Sequence, residues 1–189
     1  LSDILNGSNI NSDGSVINHG LYHIDYSATT IEGMTDCIII YSLAGRKIPQ
    51  SAIHNLDLMY DALVNLDLGK YEAAKAGHHF FERDSEGNPT FEINMPGDND
   101  WGGHWYGSYY LVDTVCDAFN MDNTCENGLK AKDWAYQHLS KIANILNDTS
   151  NGKALGSFFQ EGENYFVSGE MYQSHNLCKA WLIKNLIKQ

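Results

Sequence analysis

Apolar residues return at helical spacing in five stretches of the chain, and the stretches alternate in kind. The first, "TTIEGMTDCIIIYSLAG", predicts a helix from Thr29 to Ala44, with Thr29 or Thr30 placed to cap it and Gly45 to end it. Its apolar residues surround the axis, which is the pattern of a helix covered on every side. The second, Ile48 to Leu66, has one dry face made by Ile53, Leu56, Met59, Tyr60 and Leu63, with Pro49 in its first turn. The third, Ser108 to Phe119, again has little polar surface, and the fourth, Leu129 to Asn147, carries a single stripe through Ala135, Leu139 and Ile142. The fifth, Gly169 to Lys188, is mostly apolar.

Enclosed helices alternating with one-faced helices predict an all-α domain of antiparallel helical hairpins in two layers, a partial α/α toroid spanning residues 1–189, with an ordinary helical bundle as the alternative. Residues 1–26 read as an irregular segment within that domain. "NPTFEINMP" has the composition of a short strand. Three connections are long: the opening up to Ser27, Asp67 to Gly107, and Asn147 to Ser168. Antiparallel packing places all three at one end, feeding the N-termini of the three enclosed helices, where loops build sites and helix N–H groups favour an anion. Five helices make only half a ring, so the enclosed ones would expose apolar surface unless a second subunit or a missing half-ring covers it.

Composition narrows the classes. The 189 residues include 43% hydrophobic and 19% charged residues, a globular balance. A net charge of −12 argues against nucleic acid and against anionic membranes as partners, and no apolar run has the length of a bilayer span. The chain opens on "LSDILNGS", which reads as mature, trimmed or part of something longer. Cys116 and Cys125 flank a short polar turn and could form a disulfide or remain thiols; Cys37 and Cys178 read as buried small hydrophobes. With the sequons at Asn6 and Asn147, the cysteine pair leans toward a secreted glycoprotein.

The long segments concentrate His, Tyr and Trp. "INHGLYHIDYSATT" brings Asn18, His19, Tyr22, His23 and Tyr26; "GDNDWGGHWYG" brings Trp101, His104, Trp105 and Tyr106; the last brings Glu161 and Tyr165. Flat rings with polar tips suit stacking on sugars, His supplies a titrating group, and Gly lets the backbone approach a ligand. Three chemistries compete. His19, His23 and a carboxylate could hold a metal, although Gly20 between them weighs against helical geometry; His78 and His79 add little to it. Asp98, Asp100, Glu161 and Glu163 could supply paired carboxylates for glycoside hydrolysis. The third is β-elimination from a uronate, which needs a His or Tyr base, a Tyr proton donor, and a group that neutralises the sugar carboxylate. Nucleophile elbows, P-loops and dinucleotide fingerprints are absent, so neither metal nor cofactor is assigned.

The stretches "DGSVINHGLYHIDYSATTIEGM", "YSLAGRKIPQSAIHNLDLMYDAL" and "GDNDWG" resemble secreted bacterial and fungal proteins of the α/α-toroid type, related in fold to polysaccharide lyases acting on alginate and hyaluronate. The resemblance implies a carbohydrate-active protein with an oligosaccharide or polysaccharide as partner. It makes Asn18 the carboxylate partner and His19 a base, with a Tyr as proton donor. Adding the loop residues, His19 and His104 are the base candidates and Tyr22 and Tyr106 the donors. Trp101 and Trp105 are the stacking platform, and His23, Tyr26, Glu161 and Tyr165 complete the substrate-binding set. A glycoside hydrolase on the same scaffold, or a non-catalytic module binding a sugar or a partner, are the alternatives. The chain offers little Arg beyond Arg46 and Arg83, whereas lyase clefts of this type also carry Arg.

Overall fold

The computed structural model describes residues 10–18, 21–70, 78–94, 106–122, 128–148 and 163–187. Within them the protein is mostly helical, with five α-helices and two small antiparallel ribbons. In order, β1 (Ile17–Asn18) and β2 (Leu21–Tyr22) form a hairpin, followed by α1 (Ile24–Leu43) and α2 (Leu56–Asn65). Next come β3 (Phe81–Arg83) and β4 (Pro89–Ile93), paired to each other, then α3 (Tyr106–Phe119), α4 (Ala131–Asp148) and α5 (Glu163–Leu186). Single 3-10 turns at Gln50–Ala52 and Leu68–Lys70 flank α2.

The all-α expectation therefore needs correction in two places. The 1–26 segment, expected to be irregular, contains the β1–β2 hairpin and the first residues of α1. The strand anticipated in "NPTFEINMP" forms as β4, but it does so only because β3 pairs with it, and a three-residue strand leaves no alternation to detect in sequence. Asp84 closes that hairpin by accepting N–H bonds from Glu86 and Asn88.

Helix boundaries moved for local reasons. His23, in extended conformation, precedes α1, so Thr29 and Thr30 lie inside the helix. Their hydroxyls donate to the carbonyls of Asp25 and Tyr26 rather than capping anything. Gly45, at φ 62°, does end the helix as its sequence suggested. The stretch from Ile48 to Leu66 is broken because Asn55 adopts φ 60°, a left-handed conformation that a helix cannot pass through and that Asn tolerates better than most residues. At Gly14 (φ +83°) a Cβ would lie 2.1 Å from the Leu58 carbonyl oxygen, so that glycine lets the N-terminal turn rest directly on α2.

Cross-helix pairs fix the packing directions. Gln173 meets Gly107, Asn176 meets Ser108 and Glu32, and Lys179 meets Asp36. Positions climb together along all three helices, so α1, α3 and α5 run in the same direction with their N-termini toward one end. On α4 the order reverses: Ala131 donates to Asp122, His138 pairs with Asp113, and Lys141 stands over Tyr106. That makes α4 antiparallel to α3.

α3 is the hub, with every residue from Tyr106 to Cys116 buried. Around it lie Ile31, Ile38, Leu63, Phe81, Trp134 and Ile183, all fully covered. The enclosure expected for the first and fifth helices is not observed. Ile40 (64%), Leu43 (63%) and Trp181 (65%) are largely exposed, because α1 and α5 are edge helices with an open outer face. Cys37 and Cys178 lie on those open faces, against the expectation that they are buried. Cys116 is buried in α3, Cys125 lies outside the described residues, and no disulfide is found among the described ones. No described helix is long and apolar enough to cross a membrane.

Candidate functional site

An enclosed helix cannot carry a carboxylate without giving it partners, since an unpaired buried charge is too costly to keep. Three of the buried carboxylates, two on α1 and one on α3, each accept a hydrogen bond from a tyrosine on another helix.

The first is Asp25, in the opening turn of α1. Its Oδ1 accepts from the Tyr109 hydroxyl at 2.7 Å, which ties the first turn of α3 to the first turn of α1. Its Oδ2 has no hydrogen-bond partner and lies 3.7 Å from Nδ1 of His23. The β1–β2 hairpin delivers His23 to that point, and the His23 ring stands edge-on to Tyr26 at 4.9 Å. Burial pushes the Asp25 carboxyl above its ordinary pKa, against the opposing pull of Tyr109 and His23. Burial, reinforced by Asp25, raises the Tyr109 phenol well above its usual range.

Glu32 sits two turns further along the same face of α1. Tyr172 donates to its Oε2, and the Asn176 amide donates to its Oε1 at 3.2 Å. Asn176 also donates to the Ser108 hydroxyl, so one side chain of α5 stitches α1 to α3. Burial and Glu32 together raise the Tyr172 phenol.

The third, Asp113, faces the other way. Tyr60 of α2 donates to Oδ1 at 2.9 Å, and Nδ1 of His138 lies 2.7 Å from Oδ2. Asp113 and His138 are both completely buried. The rings of Phe81, Tyr109, Tyr106 and Trp134 stand 4.6, 5.8, 6.2 and 6.4 Å from the His138 ring. Burial raises the Asp113 carboxyl and His138 partly offsets this.

Tyr106, the first residue of α3, stands between the two groups. Its ring meets Tyr109 edge-on at 6.0 Å on one side and His138 on the other. The Lys141 ammonium lies 5.7 Å over it, 4.7 Å over Phe91 and 3.6 Å from Glu92. Burial first, and Glu92 second, hold the Tyr106 phenol above its ordinary pKa.

Of the residues singled out in sequence, the structure gathers His23, Tyr26 and Tyr106 around the first turns of α1 and α3, with half-buried Tyr22 in the adjoining strand. Asn18 is in β1, paired through its backbone with Leu21, and Tyr165 falls in the first turn of α5; the side chains of both are outside the described set. His19, Trp101, His104, Trp105 and Glu161 lie outside the described residues, as does Asn6, while Asn147 falls in the last turn of α4. His78 bonds Glu82 and His79 reaches the Leu66 carbonyl, so both anchor the entry to β3. Among the described residues no group of three or more His, Cys, Asp and Glu is placed to hold a metal.

Sequence reasoning missed Tyr60, Tyr109, Asp113 and His138, along with Glu32, Ser108 and Asn176. A partial signal for two of them was present: Glu32 and Asp113 are charges inside mostly apolar stretches, and a charge that such a stretch buries must be paired, although Asp36 and Asp117 in the same stretches look alike in sequence. No protein-family model, curated protein or solved structure matches this chain.

Proposed function

We propose that the end of the molecule where α1, α3 and α5 begin is a carbohydrate site of polysaccharide lyase type, on a scaffold that is part of an α/α toroid. Its reaction is β-elimination on a uronate-containing polysaccharide. The observation that carries the reading is the Tyr109–Asp25 bond with His23 beside it. It fixes a histidine, a buried carboxylate and the ring of Tyr106 around two adjacent helix N-termini. Those N-termini carry partial positive charge toward an anionic sugar.

In this reading a histidine base takes the C5 proton of the uronate, and the electron pair forms the C4–C5 double bond as the C4–O bond breaks. The leaving oxygen receives its proton from a tyrosine. Tyr106 is assigned that role because a tyrosine phenol carries its proton at neutral pH and its ring stands at the first turn of α3, beside Tyr109. Lys141 stands against the Tyr106 ring and pairs with Glu92. His19 and His104 remain the base candidates, and His23, 3.7 Å from Asp25, belongs to the substrate-binding set. Asn18 partners the sugar carboxylate, Tyr22 is the alternative donor, and Tyr26, Trp101, Trp105, Glu161 and Tyr165 complete the cleft. The sequons at Asn6 and Asn147 fit a secreted protein, and the open faces of α1 and α5 fit a second subunit or a further half-ring.

The test is incubation with alginate, hyaluronan and glucuronan while following absorbance of the unsaturated product. The expected result is a rise with at least one polymer, reduced at least tenfold by Tyr106→Phe. Reducing ends without the chromophore would instead mean hydrolysis. Binding by calorimetry without turnover would mean a non-catalytic module.

A further inference from the structure

Two buried nitrogens on α4 lack partners, and they lie one helical turn apart on the same face. His138 Nε2 and Trp134 Nε1 have no hydrogen bond, and both side chains are fully covered. Buried polar atoms in folded proteins are paired in the great majority of cases, with protein or with water, so two adjacent exceptions call for a common cause.

Nδ1 of His138 lies 2.7 Å from Asp113 Oδ2, and a proton placed on Nδ1 to serve that carboxylate leaves Nε2 as an acceptor. The indole Nε1–H of Trp134 can only donate. One donor and one acceptor could satisfy each other, but the rings are stacked at 28° with centroids 6.4 Å apart. An indole N–H and an imidazole lone pair both lie in their ring planes, so stacked rings present faces to each other and not these groups. What stacked rings do share is a common rim. A single oxygen making two hydrogen bonds of about 2.9 Å reaches partners up to about 5.8 Å apart, so one oxygen at the rim can serve both nitrogens if they turn to the same side. Phe81, 5.5 Å from Trp134 and 4.6 Å from His138, walls both rings on one side.

We propose that Trp134 and His138 together form a buried binding site for one hydroxyl group, filled in the resting protein by a single water. The oxygen accepts from Trp134 Nε1–H and donates to His138 Nε2. It thereby extends a hydrogen-bonded chain through His138 Nδ1–H and Asp113 to the Tyr60 hydroxyl, joining α4, α3 and α2. The site requires a group that both donates and accepts, so an alcohol or water fits it, and a cation or a carboxylate does not. The inference is independent of the lyase reading, since it uses none of the residues proposed to touch a sugar.

Nitrogen-15 spectra of the wild type and of Trp134→Phe test it, since both proteins keep the Asp113–His138 pair. The expected result in the wild type is the Nδ1–H tautomer of His138 and a cross-relaxation peak between the Trp134 indole proton and a long-lived water. In Trp134→Phe the His138 Nε2 resonance shifts, because the shared oxygen has lost one of its two anchors. An indole proton with no water contact, or a His138 Nε2 resonance unmoved by the substitution, overturns the proposal. As an independent reading, unfolding midpoints of Trp134→Phe, His138→Phe and the double variant form a cycle. A bridging oxygen makes the two effects non-additive, and additive effects count against it.

Discussion

α1 and α3 have nearly the same apolar composition, and the structure treats them in opposite ways. Helix α3 is covered on all sides, and its one fully buried carboxylate has two partners on two other helices. α1 buries Ile24, Ile31 and Ile38 on one face and leaves Ile40 and Leu43 outside on the other. Apolar periodicity thus states what a helix can bury, while its place in the chain order states what is there to cover it. α3 has α2 and α4 around it as well as α1 and α5, whereas α1 and α5 stand at the edges.

The comparison is sharpest at Asp113. Asp113→Ala removes a buried partner of both Tyr60 and His138 at a site closed to bulk solvent, and breaking a buried pair in this way costs about 3–5 kcal/mol. Urea denaturation should show the midpoint collapsing toward that of a barely folded chain. A loss below about 1 kcal/mol would mean that the enclosure of α3 is looser than the fully buried side chains of Asp113 and His138 imply.

Within α1, two isoleucines two residues apart test whether the outer face is open in solution. Ile38→Ala removes a completely buried side chain and should cost about 2–5 kcal/mol. Ile40→Ala, at a largely exposed position, should change stability by no more than about 0.5 kcal/mol. Equal losses at both sites, in unfolding midpoints measured at several protein concentrations, would show that something covers the outer face, and a dependence on concentration would identify it as a second copy.

Much of the layout was legible from the chain. Gly45 ends α1 because only a residue free of Cβ strain takes that turn readily, and a spacing pattern cannot hide such a residue. The gathering of three helix N-termini at one end followed from loop lengths alone, and the directions set by Gln173, Asn176 and Lys179 agree with it. The start of α1 was not legible. Its first turn is held by Asp25 bonding Tyr109, a residue 84 positions away, and no local preference encodes that bond. The break at Asn55 was similarly hidden, since its left-handed backbone interrupts a stretch whose apolar spacing is correct on both sides. For the site, the residue types were visible as clusters of His and Tyr, but their pairing was not. His138 looked like one polar residue on an amphipathic helix until its partner across the interface was known. Of the polar groups on α3 and α4, the sequence shows only that a buried charge such as Asp113 needs partners, not which ones.

The smallest expected effect contrasts two aspartates by the sign of their pH dependence. Asp113 is held above its ordinary pKa by burial, so the folded protein takes up this proton more readily than the unfolded chain does. Its contribution to stability is therefore full below the unfolded value of about 3.9 and is lost as pH rises through the folded one. Asp84, in the exposed β3–β4 turn, is held below its ordinary value, first by the side-chain and then by the backbone bonds to Asn88. Its contribution is present above the unfolded value and disappears as pH falls through the folded one. Acidification from neutral toward pH ~4 should accordingly favour the wild type over Asp113→Asn, which has no proton to gain. Further acidification below that point should erase the difference between the wild type and Asp84→Asn. Paired urea titrations along the pH series read both differences. If the Asp113→Asn difference moved in the same direction as the Asp84→Asn one, Asp113 would be ionised and stabilised by His138, and this pair between α3 and α4 would be governed by charge attraction and not by burial.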